Sequence, residues 1–531
     1  MFIKHGLLPL VSLLCYTGAR AYVWPGPYDL LEDEYTVSTV LGDFIEPCSA
    51  PVLPGIRLAA AEWLRTAYHD MATHNVSTGL GGLDASIGFE TDRPQNIGSA
   101  MNDSLNFFVS LQSRTSSMSD IIALAAVLVV KSCGGPGIPY RPGRIDATEA
   151  GPATVPEPQQ DLATHISMFA SQGFNVTEMI GLVACGHTIG GVHQVDFPFT
   201  IENSITDSNP DGIVHFDDTF ATFDNHIASQ WISGQSVDPI AVGFNATTNS
   251  DARIFAADGN ATMSGFASNP DHFQSQCGSL FERMVNTVPN SVHLADVLEP
   301  LPVKPHRLSL AVTDGSLVLA GQIRIFSTSA EAAAASPDDM PVTLRWTDRN
   351  GKTNATYAAS LTADFPPTTS LWGSLYFFNA KIVLDAGLGI SSFVIDYAFD
   401  PSSPLIHGDN GGGGFPLQDI AFFQSNQFCT NITTGDTSVT AMIRNDMGPI
   451  GDAYIEYTFG VSQPGTVVLR QVTVRTALTR VGNSSLPLYD EYTALLDLGG
   501  FPTITNIVTD LVAEIGQKTY TDVFTLSPGF C

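Results

Sequence analysis

Leu64-Arg-Thr-Ala-Tyr-His-Asp70 lies inside a segment, Pro54 through Ala72, whose apolar residues recur at helical spacing, with Ile56, Ala60, Trp63 and Ala67 on one side. Arg65 and His69 are four residues apart, so on that helix their side chains share a face. A neutral imidazole beside a permanently charged guanidinium can take a proton and stabilise the anion left behind. A second stretch, Val183-Ala-Cys-Gly-His-Thr-Ile-Gly190, ends another helical pattern and carries His187, a potential metal ligand.

Outward from these two stretches the helical pattern continues. Asp120–Lys131 has Ser119 as its expected cap and Gly134-Gly-Pro136 as its stop. Gln159–Gln172 and Asn175–Gly186 follow, and Asn175 with Glu178 fits a capping pair. Asp271 heads a further helix through Phe273, Leu280, Met284 and Val285. Leu298-Glu-Pro-Leu-Pro-Val-Lys-Pro305 is then too rich in proline for a helix. Beyond it, alternation predicts strands at Arg307–Val312, Ser316–Phe326, Val342–Trp346, Phe393–Ala398, Tyr454–Val461 and Thr466–Thr476. The expected architecture is multi-domain: a leader over 1–21, a mainly α domain over 22–298, a proline-rich linker over 299–306, and an all-β region over 307–531 of one or two sandwich units.

Composition narrows the function classes. Of 531 residues, 53 are acidic and 23 basic, a net charge of -30 that repels phosphate backbones and excludes nucleic acid as a partner. Lys4, the apolar run Leu7–Leu14 and Ala19-Arg-Ala21 read as a secretory signal, and no later apolar run is long enough to span a membrane. Asn75, Asn102, Asn175, Asn245, Asn260, Asn354, Asn431 and Asn483 are glycosylation acceptors, which behind a signal point to a secreted glycoprotein. Six cysteines remain after the leader and allow 15 pairings. The expected set is Cys429–Cys531, the only two in the C-terminal half, with Cys133–Cys185 and Cys48–Cys277.

Further motifs stand in a fixed order around the two histidines. They are Gly81-Gly-Leu-Asp-Ala-Ser-Ile87, Arg93-Pro-Gln-Asn96, and Gly134-Gly-Pro-Gly-Ile-Pro-Tyr-Arg-Pro-Gly-Arg-Ile-Asp146. Singly, each has an ordinary reading as a helix histidine, an Asx turn or a surface loop. In this order, with Arg65-X-X-X-His69-Asp70 and Gly186-His-Thr-Ile-Gly190, they resemble the haem peroxidase superfamily of plants, fungi and bacteria, and its secreted fungal members in particular, over about residues 30–295.

The resemblance implies a mainly α haem-peroxidase domain binding haem b, with His187 as axial iron ligand and a buried aspartate, best matched by Asp251, as that histidine's partner. Asp258 falls close to the second aspartate of that pattern. On the opposite side it implies His69 as acid–base, Arg65 as its cation, and Asn96, supported by Glu90, as the acceptor that fixes the His69 tautomer. It also implies two calcium sites: Asp70, Gly82, Asp84 and Ser86, and Thr188, Asp217, Thr219, Thr222 and Asp224. Tyr68 replaces the family's Trp or Phe. Leu58, Glu62 and His193 occupy the places of the manganese-site carboxylates, which argues against that site, and Leu182 stands where lignin peroxidases carry an exposed Trp. Phe197 or Phe199 is expected to replace the intracellular branch's proximal Trp.

The implied activity is reduction of hydrogen peroxide to water with one-electron oxidation of a small organic donor. A rival reading is a haem-binding or matrix protein with little turnover. In that case the β-region would bind polysaccharide through Trp346, Trp372 and Tyr376. A Ser-His hydrolase is disfavoured because no Gly-X-Ser-X-Gly elbow occurs.

Overall fold

The fold is taken from a computed structural model that describes residues 22–526, apart from 38–39, 52–56, 365–367, 432–433 and 499–506. Eleven helices are described in the N-terminal half. They are α1 (Asp29–Thr36), α2 (Leu41–Ile45), α3 (Ala59–Met71), α4 (Ala100–Phe108), α5 (Met118–Ser132), α6 (Leu162–Ser171), α7 (Val176–Gly186), α8 (His226–Ser233), α9 (Ser250–Phe255), α10 (Ala261–Ser268) and α11 (Pro270–Val285). In α5 every residue but the last two is buried, as expected for a helix apolar all round, and it forms the spine on which α1 to α4 pack. Its cap is Ser117, which accepts from the Asp120 amide; Ser119, the expected cap, instead donates to Asp146 of the Gly134–Asp146 loop at 2.7 Å. α7 carries the expected capping box between Asn175 and Glu178.

Helix neighbours explain why two expected disulfides are wrong. Cys48 pairs with Cys133 and Cys185 with Cys277, not Cys48 with Cys277 or Cys133 with Cys185. Cys133 ends α5, which packs on α2 just ahead of Cys48, while α7 lies against α11. The Cα separations of 4.9 and 5.5 Å follow from that packing. The Cys429–Cys531 pairing and the leader fall on Cys531 and residues 1–21, outside the described residues.

The β-region contains two sandwiches. In the first, Val303–Thr313, Ser316–Ser327 and Ser374–Leu384 form one face; Val342–Thr347 and Ser392–Tyr397 form the other. Leu319, Ile325, Leu344, Phe378 and Ile395 fill the space between. In the second, Thr437–Arg444 and Tyr489–Leu496 oppose Ile450–Gln463, Thr466–Ala477, Val508–Ile515 and Lys518–Leu526 around Val439, Ile455 and Leu511. The first strand begins at Val303, inside the expected linker. It tolerates Pro305 because it lies at the sheet edge and its register slips between His306 and Ser309.

Both sandwiches grip the helical half. Lys304 and Arg324 of the first are buried against Glu32 of α1, each at 2.6 Å; despite its burial, these two cations hold the Glu32 carboxyl down at about 2. From the second, Val468 enters the helical core, Leu469 exchanges two backbone hydrogen bonds with the Gln112 side chain, and Asp510 pairs with both Arg114 terminal nitrogens. The expected sugar-stacking face does not form. Tyr376 is buried in the first sandwich, Trp372 stacks on Tyr35 of α1 at 4.5 Å, and Trp346 stacks on Tyr357 within the other sheet. Among the described residues no helix is long and apolar enough to cross a membrane.

Candidate active site

Between α3 and α7 lies a cavity of about 670 Å³ lined from one side by Arg65 and His69 and from the other by His187 and Asp251. Its size falls within the range of small-molecule and cofactor sites. Leu182, Val183, Phe169 and Met284 give it apolar walls.

On the α3 side, His69 Nδ1 lies 2.7 Å from Asn96 Oδ1, and the Asn96 amide nitrogen donates to the Glu90 carbonyl at 2.9 Å. That second bond fixes the amide, so its oxygen must accept from Nδ1–H. The His69 lone pair therefore sits on Nε2, where Arg65 Nε–H points at 3.3 Å. Burial, then the Arg65 charge, pushes the His69 imidazole down to about 3, so it stays neutral with its Nε2 lone pair available. Burial also lowers the Arg65 guanidinium to about 10, still charged near neutrality. The Ile97 carbonyl accepts from Arg65 Nη2 at 3.0 Å, and Phe197 lies under the guanidinium at 5.6 Å. Tyr68 also lines the cavity, donating to Gln172 and stacking on Phe169.

On the α7 side, His187 is the C-cap residue and its Nδ1 lies 2.6 Å from Asp251 Oδ2, which is buried. Phe216 stacks on the imidazole with centroids 4.3 Å apart and planes 9° from parallel. With Nδ1 held by the carboxylate, Nε2 is the nitrogen left to ligate a metal. Phe216 takes the place expected for Phe197 or Phe199: Phe197 belongs to the Arg65 side, and Phe199 is exposed at the cavity mouth. Asp258 is not at the site; its carboxylate caps α10 through the Ala261 and Thr262 amides.

The two oxygen-rich loops hold their members together. Asp70 accepts from the Ala85 and Ile87 amides at 2.7 and 3.0 Å, drawing the Gly82–Ser86 loop against α3, and Asp84 Oδ1 takes the Ser86 amide. Burial, then each other's charge for Asp70 facing Asp84, pushes the Asp70 carboxyl well up. Near α7, Thr188 donates to the Asp224 carbonyl, Thr219 donates to Asp224 Oδ1, and Thr222 closes the same turn on the Thr219 carbonyl. Burial, with Asp224 nearby, raises Asp217 to about 6.

Leu58, Glu62 and His193 line the cavity, but no group of three or more His, Cys, Asp or Glu able to hold a metal occurs among the described residues. Glu62 is nevertheless unusual. Both its oxygens are buried without a hydrogen-bond partner, and burial, then Asp103, raises it to about 7. Sequence reasoning passed over Phe216, the Gln172 contact of Tyr68, and Asp238. Asp238 is wholly buried beside Asp251, and its sequence setting, Ser236-Val-Asp-Pro239, reads only as a turn.

Residues 53–268 match the family described as Peroxidase. These residues form a domain of the plant, fungal and bacterial peroxidase superfamily. The peroxidase match lies wholly within the helical half, and the β-region is an additional C-terminal part. A WSC domain-containing protein of Arthroderma benhamiae is 35% identical over 398 residues, 72% of this chain and 54% of that protein. L-ascorbate peroxidase 5, peroxisomal, of Arabidopsis thaliana is 33% identical over 140 residues, 26% of this chain and 50% of that protein. Mitochondrial cytochrome c peroxidase of Yarrowia lipolytica is 31% identical over 143 residues, 26% of this chain and 42% of that protein. The chain thus spans about half the length, or less, of these curated relatives.

Proposed function

We propose that this chain is a secreted haem peroxidase that reduces hydrogen peroxide to water while oxidising a small organic donor in one-electron steps. One observation carries the reading: a neutral, cation-backed histidine and a carboxylate-backed histidine line one apolar cavity. The residues fit haem b. His187 Nε2 is free to ligate iron, Phe216 supports its ring, and the walls suit a flat apolar macrocycle. When bound, haem would supply a redox-active iron at which peroxide could react. His69 Nε2 takes the peroxide proton and returns it to the departing oxygen. Asn96 keeps the other ring nitrogen protonated, so the base stays in the useful tautomer. Arg65 stabilises the negative charge that develops on the departing oxygen, about 3 kcal/mol for one such donor.

Calcium fits the two oxygen loops. Ser86 Oγ and Asp217 Oδ2 are buried without partners, and each loop brings together two carboxyls that a hard cation would satisfy. Secretion is supported by the leader pattern, the eight sequons and the two disulfides.

The test is reconstitution of the full chain with haem, followed by an optical spectrum with and without peroxide and a guaiacol-type assay. A Soret band and donor oxidation that both depend on His187 and His69 are expected. A chain that takes up haem but shows no turnover would favour the matrix-protein reading.

A further inference from the structure

Of the eight Asn-X-Ser/Thr acceptors, Asn245-Ala-Thr247 is the one whose residues stand in the cavity wall, beside Pro198 and Phe199. The Asn245 amide is held at both atoms. Its Oδ1 accepts from the Thr247 amide at 3.1 Å, and its Nδ2 donates to the Phe199 carbonyl at 2.8 Å. An asparagine amide nitrogen carries two hydrogens. One reaches the Phe199 carbonyl, and N-glycosylation replaces the other, so a sugar on Nδ2 starts beside a residue of the cavity mouth.

The surface around this linkage is apolar and open to solvent. Phe199 is 81% exposed, and Phe244, next to Asn245 in the chain, is 55% exposed. Ile97, whose carbonyl accepts from Arg65, also lines the cavity and is exposed. Exposed apolar residues scattered singly are ordinary, but several of them at the entrance of a site mark a surface that something covers. The C–H face of a pyranose ring packs on a phenyl face, because its polarised hydrogens meet the negative side of the ring quadrupole. A sugar tethered at Asn245 makes that contact within one molecule, so even a weak contact persists.

We propose that Asn245 carries an N-linked glycan that lies over the Phe199 and Phe244 rings at the cavity mouth and limits the size of the organic donor that enters. The proposal rests on the secreted haem-peroxidase reading above. The glycan is tied to the rim rather than seated in the cavity, so it excludes bulky donors and leaves the way open to hydrogen peroxide.

The test uses the full chain secreted from a eukaryotic host, as wild type, Thr247→Ala and Thr247→Ser. Asn245 and Arg253 meet Thr247 through its backbone, so Thr247→Ala removes the acceptor motif and keeps both contacts; Thr247→Ser restores the motif. Enzymatic release of glycans in heavy-oxygen water, followed by peptide mass mapping, marks each asparagine that carried sugar. Asn245 should be marked in wild type and Thr247→Ser and unmarked in Thr247→Ala. Without haem, an apolar fluorescent dye should bind more strongly to Thr247→Ala than to the other two. With haem, the KM of a bulky phenolic donor should fall several-fold in Thr247→Ala, while the KM of guaiacol and both kcat values stay unchanged. A bare Asn245 in a wild-type chain whose other acceptors carry sugar would overturn this inference alone. Unchanged dye binding, or an unchanged KM for the bulky donor, where Asn245 is occupied would overturn the covering role. A chain without sugar at any acceptor defeats the secretory reading and this inference with it. A glycosylated chain that binds no haem defeats the peroxidase reading, and the dye still decides whether the glycan covers the rings.

Discussion

The two histidines that face the cavity are held almost identically but by acceptors of different charge. His69 and His187 each direct Nδ1 at a side-chain oxygen of an Asn or Asp, at 2.7 and 2.6 Å. The acceptor for His69 is the neutral Asn96 amide, and Arg65 stands on the other side of the ring; burial, then the Arg65 charge, keeps His69 uncharged against the smaller opposing effect of the Asn96 bond. The acceptor for His187 is a carboxylate, which pushes electron density toward Nε2 and makes a better metal donor. On the proposed reading, one atom's difference between an amide and a carboxylate would separate an acid–base catalyst from a ligand.

Removing the base breaks the comparison outright. His69→Ala should slow the reaction with peroxide by about 10²–10⁴-fold while leaving haem uptake intact, measured by stopped-flow absorbance. Near-normal rates would mean that the proton goes elsewhere. The next largest effect concerns how the two sides are braced. Cys185–Cys277 ties α7, the helix of His187, to α11, whereas α3 carries no disulfide and Cys48–Cys133 joins α2 to α5. Removing either bridge should cost about 2–5 kcal/mol in denaturant unfolding. Only the Cys185→Ala/Cys277→Ala pair should also weaken haem retention; equal loss from both pairs would show that the brace is general.

A third experiment makes the two acceptors alike. In the wild type, burial and Arg65 hold the His69 imidazole down to about 3, so the peroxide reaction should stay flat from about pH 8 to about pH 4. Asn96→Asp places an anion on Nδ1–H and stabilises the imidazolium. Protonated His69 has no lone pair, so the variant's rate should fall as pH drops below neutrality. A profile that stays flat would mean that burial and Arg65 outweigh an anion on Nδ1–H.

How much of this was legible differs between the two sides in a way that chemistry explains. Arg65, His69 and Asn96 stand within two short local motifs on α3 and the turn before α4, so helical spacing and motif order found them. His187 was found by its motif and Asp251 by resemblance alone, since 64 residues separate them. Asp238 carried no signal, because an Asp-Pro pair is the usual mark of a turn and only packing reveals the second carboxyl. Part of the β-region showed because alternation is local: Thr466–Ala477 was expected within one residue of its end, whereas Ser374–Leu384, Thr437–Arg444 and Val508–Ile515 were not expected. Disulfide pairing was not legible, since it depends on which helices lie side by side. Val468, Leu469 and Asp510 likewise grip the helical half through contacts that span hundreds of residues.

The smallest expected effect again sets one side of the cavity against the other. Each side carries a buried carboxyl short of donors: Asp238, whose Oδ1 takes the Ile240 amide but whose Oδ2 meets none, and Glu62, one turn before Arg65 on α3, both of whose oxygens meet none. Burial, then Asp103, raises Glu62 to about 7, with Arg57 and Arg65 opposing and Asp196 adding to the rise. The folded chain therefore binds a proton here that the unfolded chain has already lost between about pH 4.5 and about pH 7. Where the folded state holds more protons, stability falls as pH rises. Wild-type Tm should thus drop across that window by more than the Tm of Glu62→Gln, and the two curves should run parallel above about pH 8. Curves parallel throughout would mean that Glu62 ionises at its ordinary value, with water or a cation reaching its carboxylate. In that case the α3 side of the cavity would be more open than its apolar walls suggest.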